Sequence, residues 1–312
     1  MGYQKMNNET EKKIIMPNFL IIGAAKSGTS AIYHYLKQHP QIYMSPIKEP
    51  YFFAFEGEKL NFQGPGVTIN HSSITDIESY RNLFQGVSDE VAIGEASTAY
   101  LYVPKAPTLI RQYVPNIKLI AILRNPVDRA YSSFMHLIRD QQEPITDFAQ
   151  ALKAEESRIQ NNWGFLYRYQ DIGFYSGQLK RYFEKFDRSQ IKVYLYDDFK
   201  NDPVSLLQDI CSFLNVDENF KPDMSIKRNV SGVPRNRLLQ NFLAKKPSPL
   251  KSLLKTFIPY SVGDKIRGYL LSKNLAKTEL QPQIRKQLLQ VYREDILKTQ
   301  DLIGRDLSKW LD

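Results

Sequence analysis

Four short apolar runs punctuate the chain, at Phe19–Ile22, Val91–Ile93, Lys118–Leu123 and Ile191–Leu195. Each is short enough for a strand, and each continuous run suits burial on both faces. Between them apolar residues recur at helical spacing, over Thr29–Lys37, Pro104–Tyr113, Val127–Arg139 and Asp171–Phe186. Strand–helix alternation predicts an α/β fold of three layers, a central parallel sheet flanked by helices. Ligands then belong at the carboxyl ends of the strands. The stretch from Ser45 to Asn70, rich in aromatics and broken by Gly and Pro, reads as a long functional loop. Leu206, Leu207, Ile210, Cys211 and Leu214 form a 3.6-period stripe, which places the single cysteine in the core and excludes an intrachain disulfide. After Asp217 the pattern loosens into a basic loop. Short helices broken at Pro247, Pro249 and Pro259 follow, then a long helix over roughly Pro282 to Leu302.

These patterns divide the 312 residues into a polar tail, 1–17, and one domain, 18–312. Within it, 224–312 is a basic loop with a helical C-terminal extension. The tail has no apolar core and no run reaches 18 apolar residues, so a cytoplasmic protein is expected. Lys and Arg number 42 against 33 Asp and Glu, a net charge of +9. The excess is local: twelve Lys and Arg lie between Met224 and Lys277 against one acidic residue, Asp264. Such a block attracts anions, and it leaves a peripheral membrane contact through 245–277 open.

The first apolar run ends in Gly23-Ala24-Ala25-Lys26-Ser27-Gly28-Thr29-Ser30, and a helical pattern follows at once. A strand, a small-residue loop and a helix N-terminus together make a phosphate cradle, with N–H groups, hydroxyls and one ammonium aimed at an anion. The loop departs from GxxxxGK[ST]: Gly23 and Gly28 keep the glycine step, but Thr29 stands where that motif has lysine. Lys26 lies three residues earlier, near the bridging end of a phosphate chain. The third run leads into Arg124-Asn125-Pro126-Val127-Asp128-Arg129, and Ser132 follows Arg124 by about two helical turns. Arginine and hydroxyl at a strand end suit a second phosphate. The alternative for Arg124 is an ion pair with Asp128.

These two motifs, in order and about a hundred residues apart, resemble those of sulfotransferases that use 3′-phosphoadenosine 5′-phosphosulfate (PAPS). The similarity is to a bacterial-type member of the branch containing the glycan and heparan O- and N-sulfotransferases. It extends to Lys48-Glu49-Pro50-Tyr51-Phe52-Phe53, to Gly94-Glu95-Ala96-Ser97-Thr98-Ala99-Tyr100, and to Asp306–Leu311. The resemblance implies in-line transfer of a sulfuryl group from PAPS to a hydroxyl or amine of a small natural product or saccharide, leaving 3′-phosphoadenosine 5′-phosphate (PAP). Lys26 would stabilise the leaving phosphate and Glu49 would be the base, its pKa raised by Tyr51, Phe52 and Phe53 unless the neighbouring Lys48 side chain points toward it and acts the other way. Glu95 is the alternative base. Ala25, Lys26, Ser27, Gly28, Thr29 and Ser30 would hold the 5′-phosphate, Arg124 and Ser132 the 3′-phosphate, and Arg228, Ser231 and Gly232 a closing loop. Ala96 departs from relatives that carry lysine there, which weakens the carry-over of acidic-polysaccharide specificity. Neither a metal nor a nucleic-acid partner is implied, and the four histidines lack metal spacing. A P-loop kinase or NTPase is the competing reading; it requires a lysine beside the last Thr/Ser and a Walker B aspartate.

Overall fold

The computed structural model describes residues 15–225, 233–234, 275–276 and 279–312. Five parallel strands form the central sheet: β1 (Phe19–Gly23), β2 (Ile42–Met44), β3 (Ala92–Ala96), β4 (Lys118–Leu123) and β5 (Ile191–Leu195). Their order is β2-β3-β1-β4-β5, which puts β1 at the centre between β3 and β4. Alternation along β1 explains the layers. Phe19 and Ile21 face one buried cluster with Ile32, Tyr33 and Ile210, whereas Leu20 and Ile22 face another with Phe52, Tyr80 and Tyr100. Each such buried side chain stabilises by about 1.5–3 kcal/mol.

The α/β three-layer reading holds, with three local corrections. β2 is a strand that the apolar pattern does not announce. The second expected strand begins at Ala92 and runs on to Ala96, because Val91 is 53% exposed. The pattern over Asp171–Phe186 breaks into a 3₁₀ turn, Asp171–Gly173, and a helix, Tyr175–Phe183. Gly173 lies where a Cβ would come within 2.5 Å of the Tyr292 hydroxyl, and the N–H groups of Tyr175 and Ser176 donate to Asp295. Cys211 is buried, as its stripe requires.

The C-terminal helix, Pro282–Ile303, buries Ile284, Leu288, Tyr292 and Ile296 in the larger core cluster. Trp310 follows it into the same cluster, and its carbonyl accepts from the Asn125 side chain at 3.1 Å. The far end of the chain therefore braces the turn that carries Arg124. Arg228, Ser231, Gly232 and the 245–274 part of the basic segment lie outside the described residues.

Candidate active site

At the carboxyl end of β1 the chain turns sharply before helix α1 (Thr29–Leu36). Gly23 passes so close to the helix Ala99–Tyr102 that a Cβ would lie 2.9 Å from Leu101 Cβ. Gly28, the residue before α1, has φ 89°, a conformation open to glycine at little cost. No side chain caps α1 and no acidic residue occupies its first turn. Its leading N–H groups thus lack intrahelical partners and sit at the positive end of the helix dipole. Ser27, fully buried in this turn, has a hydroxyl without a hydrogen-bond partner. An orphan buried donor beside open helix N–H groups fits an anion that supplies acceptor oxygens.

Lys26 sits in the left-handed region, with φ 70°. Burial, reinforced by the Arg139 guanidinium, lowers its pKa to about 8, against the opposing pull of Glu49 and Asp140. Arg124 leaves β4 and donates from Nη1 to the Lys26 carbonyl at 3.2 Å, so the two motifs touch. Its guanidinium lies 4.8 Å from the Tyr196 ring centroid, and Tyr196 and Phe199 also flank Gly28. Those two aromatics escaped the sequence reading. Ser132 is mostly buried on the helix Pro126–Arg139. The alternative for Arg124 fails, because Asp128 pairs with Arg285. The helix after Arg124 is capped by the Asn125 side chain, so its N-terminus, unlike that of α1, is already satisfied. The strand runs into Arg124 where a Walker B reading needs aspartate, and Thr29 replaces the Walker lysine.

Glu49 follows β2 in a left-handed conformation, φ 64°, with its N–H on the Ala96 carbonyl at 2.9 Å. Its carboxylate accepts from Lys48 Nζ at 2.7 Å, Tyr51 Oη at 2.7 Å and Thr98 Oγ1 at 3.1 Å. Here the expectation of a raised pKa is corrected. Burial pushes the carboxyl up, but the Lys48 ammonium and the three donors outweigh it, and the group sits below its ordinary range. Glu95 shows the opposite balance. It is fully buried, and burial raises its pKa to about 7 despite hydroxyl donors from Tyr100, Ser97 and Tyr80. It faces the core rather than the crevice.

A cavity of about 320 Å³ opens in front of Glu49, with Lys48, Tyr51, His136 and Asp140 among its polar lining residues. His136 and Asp140 were not picked out by the sequence reading; both sit one turn apart at the end of the Arg124 helix. Burial, then the Lys26 charge, lowers the His136 pKa to about 4. Its Nδ1 lies 2.7 Å from Arg139 Nη2, which can only donate, so the neutral ring carries its proton on Nε2. Among the described residues no three His, Cys, Asp or Glu side chains could together hold a metal ion, and no helix is long and apolar enough to cross a membrane.

The sequence model of a family described as "Sulfotransferase family" matches residues 17–221. A mouse (Mus musculus) bifunctional heparan sulfate N-deacetylase/N-sulfotransferase 4 is 28% identical over 210 residues, covering 66% of this chain and 23% of that protein. The chain thus spans less than a quarter of that relative's length. The crystal structure of a sulfotransferase from Alicyclobacillus acidocaldarius superposes with TM-score 0.76 at 35% identity, over 96% of this chain and 100% of the other. A mouse sulfotransferase complexed with PAP shares the fold, with TM-score 0.50 at 17% identity, over 90% of this chain and 84% of the other.

Proposed function

This chain belongs to the sulfotransferase family, and from that premise we propose that it transfers a sulfuryl group from PAPS to a hydroxyl or amine of an acceptor seated before Glu49. The observation that carries this reading is the contact between the two motifs: Arg124 donates to the Lys26 carbonyl beside the uncapped start of α1. One anion-binding element serves a 5′-phosphate, and the arginine a few ångströms away serves a second phosphate. The PAP bound by the mouse fold relative supports that choice of donor.

PAPS supplies a sulfuryl group whose departure leaves negative charge on a phosphate oxygen. Ala25, Ser27, Gly28, Thr29 and Ser30 hold the 5′-phosphate through backbone N–H groups and hydroxyls. Lys26 faces the charge that builds as the S–O bond to phosphate breaks, in a site dry enough to depress its own pKa. Arg124 and Ser132 hold the 3′-phosphate. Glu49 receives the acceptor proton as the new S–O bond, or S–N bond for an amine, forms. As a carboxylate held ionised it is in the accepting state throughout the neutral range, and the acceptor proton becomes acidic enough for so weak a base only as bonding to sulfur advances. The donor assignment is tested by calorimetric titration with PAP, AMP and ATP–Mg²⁺. Tight binding of PAP alone, lost in Arg124→Ala, is expected; preference for ATP–Mg²⁺ overturns it.

A further inference from the structure

The acceptor cavity has a charge balance and a wall that restrict what it can take. Its described lining holds one Lys or Arg, Lys48, which pairs with Glu49 at 2.7 Å. Its second carboxylate, Asp140, is matched by the Arg139 guanidinium behind it, at 2.7 and 3.0 Å. His136 is a neutral ring at pH 7. Among the described residues no Lys or Arg other than Lys48 lines the cavity, and both of its carboxylates already have a cationic partner.

The lining also has an apolar part, Val67, Ile69, Phe165 and Leu166, with the Phe165 ring edge-on to Tyr51 at 5.7 Å. This wall is built, not draped. Tyr167 Oη lies between the carbonyls of Pro65 and Gln142, at 2.7 and 2.8 Å, with one proton to share between them, and Asn70 pairs with both backbone groups of Phe62. Gln63 and Trp163 form a parallel bridge, and Gly64 gives the Trp163 ring room that a Cβ would take, at 2.8 Å. At about 320 Å³ the cavity is at the small end of the range for ligand sites, about 300–1,000 Å³.

We propose that the acceptor is a small, uncharged hydroxyl compound with an apolar face, its hydroxyl at Glu49 and its apolar body between Val67, Ile69 and Phe165, rather than an acidic saccharide chain. This inference rests on the sulfotransferase reading of the same site. An apolar body gains from the pinned wall, and a neutral hydroxyl leaves the Lys48–Glu49 and Arg139–Asp140 pairs intact.

The test uses the purified full chain with saturating PAP, and a matched pair of probes: 2-naphthol and 6-hydroxy-2-naphthoate, which differ by one carboxylate. A heparosan tetrasaccharide represents the acidic saccharide class. Calorimetry reads binding, and PAPS in place of PAP reads sulfation. Expected are binding and sulfation of 2-naphthol, with affinity for the naphthoate and the tetrasaccharide at least tenfold weaker. Val67→Trp should weaken 2-naphthol binding at least tenfold and leave PAP affinity unchanged. Asp140→Asn, which leaves the Arg139 charge without that carboxylate, should narrow the gap between naphthol and naphthoate. Equal or tighter binding of the naphthoate or the tetrasaccharide, or indifference to Val67→Trp, overturns the inference. Failure to bind PAP strikes instead at the donor site, which the first titration reads separately.

Discussion

Glu49 and Glu95 lie on either side of the same strand end and behave as opposites. Glu49 is 32% exposed and touches an ammonium; Glu95 is fully enclosed and touches only hydroxyls. The first is held ionised, and the second is pushed to about 7 by burial. Both accept several hydrogen bonds, so donors alone do not decide the outcome. What separates them is a full positive charge, which in a partly dry site outweighs desolvation where hydroxyl dipoles do not. The difference also divides their work. Glu95 accepts from Ser97 Oγ at 2.9 Å, and Ser97 in turn accepts from the Tyr51 N–H at 3.1 Å. Tyr51 then donates to Glu49. The buried carboxyl anchors the loop whose exposed carboxylate faces the crevice.

The sharpest way to break this division is to neutralise each carboxyl in turn. Glu49→Gln is expected to lower kcat by about 10²–10⁴, the usual span for a general base, with PAP affinity unchanged. Lys26→Ala should cost about 10²–10³ in kcat, as for other losses of charge stabilisation at a leaving oxygen. Glu95→Gln should cost far less. If it matches Glu49→Gln with folding intact, the roles are reversed.

Stability against pH offers a second test. A carboxyl raised from about 4.5 to about 7 binds its proton more tightly folded than unfolded. Its contribution therefore falls as pH rises through that window, by on the order of 3 kcal/mol, and is fully lost above it. Denaturant unfolding between pH 5 and 8 should show the decline in the parent chain and a flatter profile in Glu95→Gln. Parallel slopes would remove Glu95 as the cause.

The same two carboxyls mark how far the sequence could be read. The β1 loop and the Arg124 motif were legible because backbone geometry writes itself in glycine, proline and hydroxyl positions at fixed offsets. Glu49 was legible as a candidate, but its ionisation depends on where the Lys48 side chain points, and spacing does not encode that. β3 was cut short because the apolar run stops at Ile93, where Gly94 and Glu95 interrupt it. Gly94 is there since the Phe19 ring fills the space of a Cβ, which would lie 2.4 Å away. β2 escaped because three residues carry no period. The stretch Ser45–Asn70, read as a loop, hides the fully buried Phe52 and Phe53 in a short helix and supplies a cavity wall. That wall depends on Gln63 meeting Trp163, a hundred residues apart, and no local pattern records such a meeting. His136 and Asp140 were passed over because their helix was read for its phosphate-facing start, not for its far end.

Finer variants sharpen the comparison without removing either carboxyl. Lys48→Met withdraws the charge that holds Glu49 below its ordinary range, so the acidic limb of kcat/KM should move to higher pH. An unmoved limb would assign that limb to another group. Ser97→Ala is the smallest step. It deletes the relay between Glu95 and the Tyr51 N–H while both carboxyls stay, so two buried hydrogen bonds are lost, about 2 kcal/mol in stability. A purely structural relay predicts that loss and nothing else. A relay that also aims Tyr51 at Glu49 predicts a further fall in kcat of a few fold at unchanged PAP affinity, because the loop holding Glu49 and Tyr51 at positive φ then loses a tether. Ser97→Thr keeps a hydroxyl at the same place and should restore kcat, and that rescue separates aim from mere packing.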